Sequence, residues 1–308
     1  MKKKVTVFGS FVVDLMARAP HLPVPGETVR GSMFRQGAGG KGFNQGVAAH
    51  KAGGDVAMIT KLGRDSLANV ALQVMDEIGM SKEHLFYHEE IPTGTALIFV
   101  DEHTSQNEII IVPGACSTIT EEDIASVEQT ICTSDYLLLQ LEVNQDANER
   151  VAQLAKEHGV RVIINTAPYQ PMNDAFLKGA FLVTPNEVEA EEFTGIAVKD
   201  LESADRAAQV FLDKGVENVL ITLGGRGVYL RTAEGSEILP AFRVEAVDTT
   251  GAGDAFNGGL LASLSEGKSL REACRFATAL AALSVQRIGT TASMPWRAEI
   301  DAFLSEHA

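Results

Sequence analysis

The stretch DTTGAGDAFNGG, residues 248–259, holds four glycines and two carboxylates in twelve positions. Phe256, Leu260 and Leu264 follow at helical spacing, so residues 251–254 read as a helix N-terminus, with Gly258 and Gly259 permitting close packing. Free N–H groups and the helix dipole at such an end attract an anion. Asp254 is then the discordant residue, because a carboxylate repels a phosphate. One reading is purely local, since an acid suits the first turn of a helix. Three further glycine and carboxylate features point beyond it.

The first is GAGGKGFNQG, residues 37–46. Paired glycines let a backbone approach a small ligand, and Lys41 and Asn44 bring a charge and an amide to the start of a helix. A plain strand-to-helix turn is the alternative. It is not a P-loop, because Gly42 follows Lys41 where Ser or Thr is required. The other candidate, ASLSEGKS at 262–269, has Ala262 in place of the first P-loop glycine. The second feature is TPNEVEAEEF, residues 184–193. Asn186 and Glu189 lie three apart and would share one helix face. An amide and a carboxylate there can order water around Mg²⁺, which keeps several waters when it bridges phosphates. Glu191 and Glu192 read as a solvated helix face. The third is TLGGRG, residues 222–227, a glycine turn able to pass under a nucleotide, although ordinary tight turns use the same residues. His84 and His88 have metal-ligand spacing but no third ligand nearby, and read as surface histidines.

The rest of the chain must position these features. Its 308 residues are 45% hydrophobic and 22% charged, with a formal net charge of −15. Lys2–Lys4 form its one basic block, so nucleic acid and anionic membranes are poor partners. A phosphorylated ligand must be held by backbone amides, a metal or a few local cations. Cys116, Cys132 and Cys274 form no CxxC pair, which fits a reducing cytoplasm. The opening MKKKVTVFGSFVVDLMARAP is broken by Gly9, Ser10 and Asp14, and reads as a first buried strand rather than a signal peptide. No apolar run approaches the roughly 18 residues of a membrane helix.

Strand-like runs recur at 5–10, 56–63, 136–142, 160–167, 180–187 and 218–225, with helical patterns such as ANVALQVMDEIG and SADRAAQVFLDKG between them. The alternation predicts an α/β fold with an open, mostly parallel sheet flanked by helices, and ligands outside the carboxyl ends of its strands. Residues 11–36 and 93–113 break the rhythm. The latter, with NEIIIVPG at its end, reads as a hairpin, and together the two predict a small sheet covering one end of the main one. One domain over 1–308 with such a lid is the expectation.

Taken together, the motifs resemble the ribokinase family of sugar kinases, the PfkB superfamily. The resemblance runs nearly end to end through GSFVVD, PGETV, GGKGFNQ, LQLE, TPNE, ITLGGRG, FRVEAVDTTGAGDAFNG and MPWRAEIDAFL. It implies a ribokinase-like fold and phosphoryl transfer from ATP to a sugar hydroxyl, namely the 5-hydroxyl of D-ribose or 2-deoxy-D-ribose. It also implies Asp254 as the base, beside an anion hole of Gly251, Ala252 and Gly253. Asp14, Gly40, Lys41, Asn44 and Glu142 match the family's sugar-side positions. Asn186, Thr222, Gly224, Gly227, Gly253 and Thr278 match the nucleotide side. Asp248, Thr250, Ser284, Arg287, Gly289 and Ser293 match loops holding an activating monovalent cation such as K⁺. A homodimer through the lid sheet is implied as well.

Two sugar-side positions depart from the pattern. Val12 stands where the ribokinase branch has Asn, and Phe43 where it has a small residue. Both changes predict a more apolar pocket, and the 2-deoxyribose kinases that resemble this chain carry an apolar residue at the first. Rival readings are a kinase of a hexose, a keto sugar acid or a nucleoside and, from another class, a catalytically silent sugar or nucleotide sensor.

Overall fold

The computed structural model describes residues 3–104 and 106–307. From the N-terminus run β1 (Lys4–Phe8), β2 (Val12–Ala19), β3 (Met33–Gly39), α1 (Lys41–Lys51), β4 (Asp55–Gly63), α2 (Ala68–Ile78), β5 (Leu85–His88), β6 (Thr93–Asp101) and β7 (Asn107–Gly114). Next come α3 (Glu121–Cys132), β8 (Tyr136–Leu139), α4 (Gln145–Glu157), β9 (Arg161–Ile164), α5 (Asp174–Leu177), β10 (Leu182–Val183), α6 (Glu187–Thr194) and α7 (Leu201–Asp213). The chain closes with β11 (Val219–Thr222), β12 (Val228–Thr232), β13 (Gly235–Leu239), α8 (Ala252–Ser265), α9 (Leu270–Ser284) and α10 (Arg297–Glu306).

The main sheet has the order β13-β12-β11-β10-β9-β8-β1-β4-β5. From β11 to β5 every pairing is parallel, and antiparallel pairing is confined to β11–β12 and β12–β13 at one edge. Alternate side chains feed two cores. Val5, Val7, Tyr136 and Leu138 join a cluster with residues of α1, α2, α8 and α9. Phe8, Leu137, Leu139, Val162 and Ile164 join another with residues of α3, α4 and α7. Burial on both faces explains why these strands read as continuous apolar runs.

Several strands are shorter than their apolar runs. β8, β9 and β10 stop just before Gln140, Asn165 and Thr184, which are buried and hydrogen-bond to side chains from other elements. The carboxyl edge of the sheet is thus a buried polar row.

A second sheet, of order β3-β2-β6-β7, lies apart from the first. Its strands come from the two stretches that broke the βα rhythm, with β6 and β7 forming the predicted hairpin. Ile109, Ile110, Ile111 and Val112 of the edge strand β7 are about half exposed, and Phe34 of β3 is more exposed still. No helix among the described residues is long and apolar enough to cross a membrane.

Candidate active site

Two helix N-termini meet at the carboxyl edge of the main sheet. Gly40 caps α1 at φ 88°, and a Cβ there would lie 2.9 Å from both Ser10 O and Val12 N, so only glycine fits. Glu142, just past β8, closes the same helix end. Its Oε2 accepts from the Lys41 backbone N–H at 2.8 Å and from Ser10 Oγ at 2.5 Å. α8 begins at Ala252 after Gly251 and packs on α1. Gly258 makes that approach possible, because a Cβ there would come within 2.6 Å of Gln45 O.

This packing brings consecutive residues of α1 onto one carboxylate. Asn44 Nδ2 donates to Asp254 Oδ2, and Gln45 Nε2 donates to Asp254 Oδ1, both at 2.9 Å. Asp254 is buried, and burial raises its pKa against the opposing pull of Lys41 and of the two amide donors. For Lys41, burial favours the neutral form, but attraction to Asp254, Glu142 and Glu189 outweighs it and the pKa rises. Burial chiefly, then repulsion from Glu142, pushes Asp14 up to about 6. The pocket is thus a single ammonium ringed by carboxylates. Buried Asn44 Oδ1 has no hydrogen-bond partner among the described residues, so it is an acceptor suited to a ligand hydroxyl.

Beyond the α8 N-terminus opens a cleft of about 750 Å³, lined by Asn186, Thr222, Gly224, Gly227, Gly253 and Thr278 together with Phe242, Ala282 and Val285. Every nucleotide-side residue anticipated from sequence lines it, and its size suits a nucleotide. Asn186 and Thr222 form a parallel bridge that extends the sheet edge into the cleft wall. Within the turn that opens α8, the Ala252 N–H donates to Thr249 O at 3.2 Å. The helix itself supplies no partner to the N–H groups of Gly253 and Asp254. An anion held by Ala252 would therefore have to exchange that long bond.

The geometry of Asn186 and Glu189 corrects one expectation. The two side chains do lie together, with Asn186 Nδ2 donating to Glu189 Oε1 at 2.8 Å, but as the N-cap of α6 and its third residue in a capping box rather than as two residues within the helix. The N-x-x-E spacing is itself a signature of that box. Asn186 Oδ1 accepts from Glu189 N at 2.8 Å, and Glu189 Oε2 from Asn186 N at 3.0 Å. Each oxygen keeps a second lone pair, which fits a metal held through water rather than directly.

Asp248 ties two loops together. Its Oδ1 accepts from Thr250 N at 2.9 Å and its Oδ2 from Gly289 N at 3.0 Å, and these bonds help hold its pKa down against burial. Ser284 Oγ and Ser293 Oγ donate to the carbonyls of Ala281 and Thr290. The Arg287 guanidinium is turned to Glu299, so this residue can offer a cation only its backbone. Asp248 is the carboxylate shared by these loops, and each of its oxygens accepts one backbone N–H.

Phe43 is a second correction. It is fully buried and meets Phe11 edge-on at 4.9 Å between ring centres, so it belongs to the core and is not an open pocket wall. Val12 shares its strand face with Asp14, two residues on, and lies between Gly39 and Gly94 of the neighbouring strands. The histidines are accounted for: His88 Nδ1 accepts from Glu90 N and Ile91 N, and His84 pairs with Thr130. Gln45, Asn165, Thr184, Asn257 and Thr290 escaped the sequence reading. For the first four the available signal was a polar residue beside an apolar run or inside a quoted motif.

Residues 2–297 match the model of the pfkB family carbohydrate kinases. A ribokinase of Haemophilus influenzae is 43% identical over 308 residues, covering 100% of each chain. A deoxyribokinase of Salmonella typhi is 34% identical, covering 98% of both. The structure of Arabidopsis thaliana ribokinase complexed with ribose and ATP covers 99% of both chains at 30% identity, with a TM-score of 0.92.

Proposed function

The chain belongs to the pfkB family of carbohydrate kinases, and from that premise we propose that it transfers the γ-phosphoryl group of ATP to the 5-hydroxyl of ribose or 2-deoxyribose. The observation that carries this reading is the position of Asp254. It sits on the first turn of an anion-attracting helix, between the nucleotide-sized cleft and the cluster of Asp14, Lys41, Asn44 and Glu142.

In this reading ATP lies in the cleft with its phosphates toward residues 251–253. The pentose lies beneath β2, its hydroxyls bonded to Asp14, Lys41, Asn44 and Glu142. Asp254 orients the 5-hydroxyl and accepts its proton, while the amides at the start of α8 neutralise charge growing on the transferred group. Such a reaction asks mainly for positioning and electrostatics, so an ionised carboxylate is an adequate base. The N–H bonds to both its oxygens hold it ready. Asn186 and Glu189 would hold Mg²⁺ through water, and the metal, when bound, supplies charge neutralisation on the phosphates. Asp248, Thr250, Ser284, Arg287, Gly289 and Ser293 would surround a monovalent cation such as K⁺, whose chemistry is to order the adjoining anion-hole turn.

The half-exposed apolar edge strand β7 supports a homodimer through the second sheet, since such an edge invites pairing. Three unpaired cysteines suit a cytoplasmic enzyme. A silent sensor is the weaker reading, because sensing alone requires no buried carboxylate fixed by two amides. ADP release is to be measured with ribose, 2-deoxyribose, a hexose, a keto sugar acid and a nucleoside. Turnover with the pentoses is the expected result; turnover confined to another acceptor would reassign the substrate, and none with any would favour the sensor.

A further inference from the structure

Gln45 has no accessible surface, and its whole side-chain amide is engaged. Nε2 donates to Asp254 Oδ1 and to Asn165 Oδ1, each at 2.9 Å, and Oε1 accepts from Gln140 Nε2 at 2.7 Å. The bonding continues from Asn165. Its Nδ2 donates to Thr184 O at 2.9 Å, Thr184 Oγ1 to Asn257 Oδ1 at 2.6 Å, and Asn257 Nδ2 to Gly253 O at 2.9 Å. Gly253 precedes Asp254 in the chain, so the circuit closes on the carboxylate from which it started.

We infer that Gln45 is a positioning residue for Asp254, the anchor through which this buried ring fixes the carboxylate relative to the anion-hole turn. The inference rests on the reading of Asp254 as the base. The two neighbouring amides divide the work. Asn44 keeps an unpartnered buried oxygen and so has capacity for a sugar hydroxyl, whereas both N–H groups of Gln45 are spent. When a sugar draws Asn44 away, Gln45 still holds Oδ1. A reversed Gln45 amide would set its oxygen against Asp254 and against Asn165 Oδ1, so the ring itself selects the orientation. Gln45 touches no substrate. It acts by limiting the rotation of Asp254 and by favouring the ionised form against burial and the nearby carboxylates of Glu142, Asp14 and Glu189, alongside Lys41.

The test compares wild type, Gln45→Met, Gln45→Glu and Asp254→Asn. Methionine keeps length and burial but donates nothing. Glutamate keeps the shape and the bond from Gln140 and sets a second carboxyl against Asp254, with which it must share a proton, so the displaced titration decides the matter should the methionine variant fail to fold. For Gln45→Met, kcat is expected to fall about 10–100-fold with KM for ATP unchanged. The acid limb of the kcat/KM profile for the sugar should move up by about one pH unit, and further in Gln45→Glu. A simple packing role would leave that limb in place. Unmoved limbs in the folded variants, with Asp254→Asn inactive, would overturn the assignment of Gln45 alone. An Asp254→Asn enzyme with wild-type turnover would overturn the base and this inference together.

Discussion

Asn44 and Asp254, 210 residues apart in sequence, are joined by one hydrogen bond of 2.9 Å between Nδ2 and Oδ2. The bond links the first turns of α1 and α8, and so joins the glycine–lysine element to the glycine–aspartate element. Neither motif forms a site by itself. Glycine at 258 lets α8 approach α1 until one carboxylate receives two amides, and glycine at 40 lets the start of α1 close on Ser10 and Val12.

Val12 is expected to set the choice of pentose. It shares a strand face with Asp14, and a hydroxyl buried unpaired against its methyl groups costs about 1–3 kcal/mol. We expect 2-deoxyribose to compete well with ribose. Val12→Asn should shift the ratio of kcat/KM values toward ribose by up to about a hundredfold. A wild type that strongly favours ribose, with a ratio unchanged in the variant, would show that Val12 only packs beneath the second sheet.

Asp14 illustrates a conflict between site and stability. Its folded pKa, about 6, lies above the ordinary 3.8, so its contribution is full below pH 3.8 and is lost as pH rises through 6. Asp14→Asn removes that loss. The variant is expected to be more stable than wild type by about 1–3 kcal/mol at neutral pH, with the gap closing as pH falls below about 4, while its kcat/KM for sugar drops. Thermal unfolding across this range checks it, and equal melting temperatures at neutral pH would refute it.

A monovalent cation should activate the enzyme through the loops that Asp248 joins. Rates measured in potassium are expected to exceed those in a bulky organic cation at matched ionic strength, and Asp248→Asn should blunt the difference. Equal rates of the unmodified enzyme in both salts would remove the cation from the account.

Much of this arrangement was legible in the sequence, for identifiable reasons. Alternating β and α runs gave the parallel sheet, and the glycine turns marked both helix ends. Asn186, Thr222, Gly224 and Gly227 share one cleft wall because they lie at or just past the ends of β10 and β11, whereas Gly253 and Thr278 reach the cleft from α8 and α9. What sequence concealed was pairing over long separations. Asn165 and Thr184 look like the tails of apolar strands, and only the fold places them in one ring with Gln45 and Asn257. Local chemistry misled as well: Asn186 and Glu189 satisfy each other as a helix cap, and the Phe43 ring turns inward to Phe11.

The most direct measurement is single-turnover formation of sugar phosphate by Asp254→Asn with ATP and pentose both bound. Asparagine keeps the shape of the side chain but cannot accept the hydroxyl proton, and its amide must face one of the donors on Asn44 and Gln45. The chemical step is expected to slow by about 10²–10⁴-fold while ATP binding persists. A rate within about tenfold of wild type would contradict the assignment of Asp254 as the base and, with it, the mechanism proposed for this site.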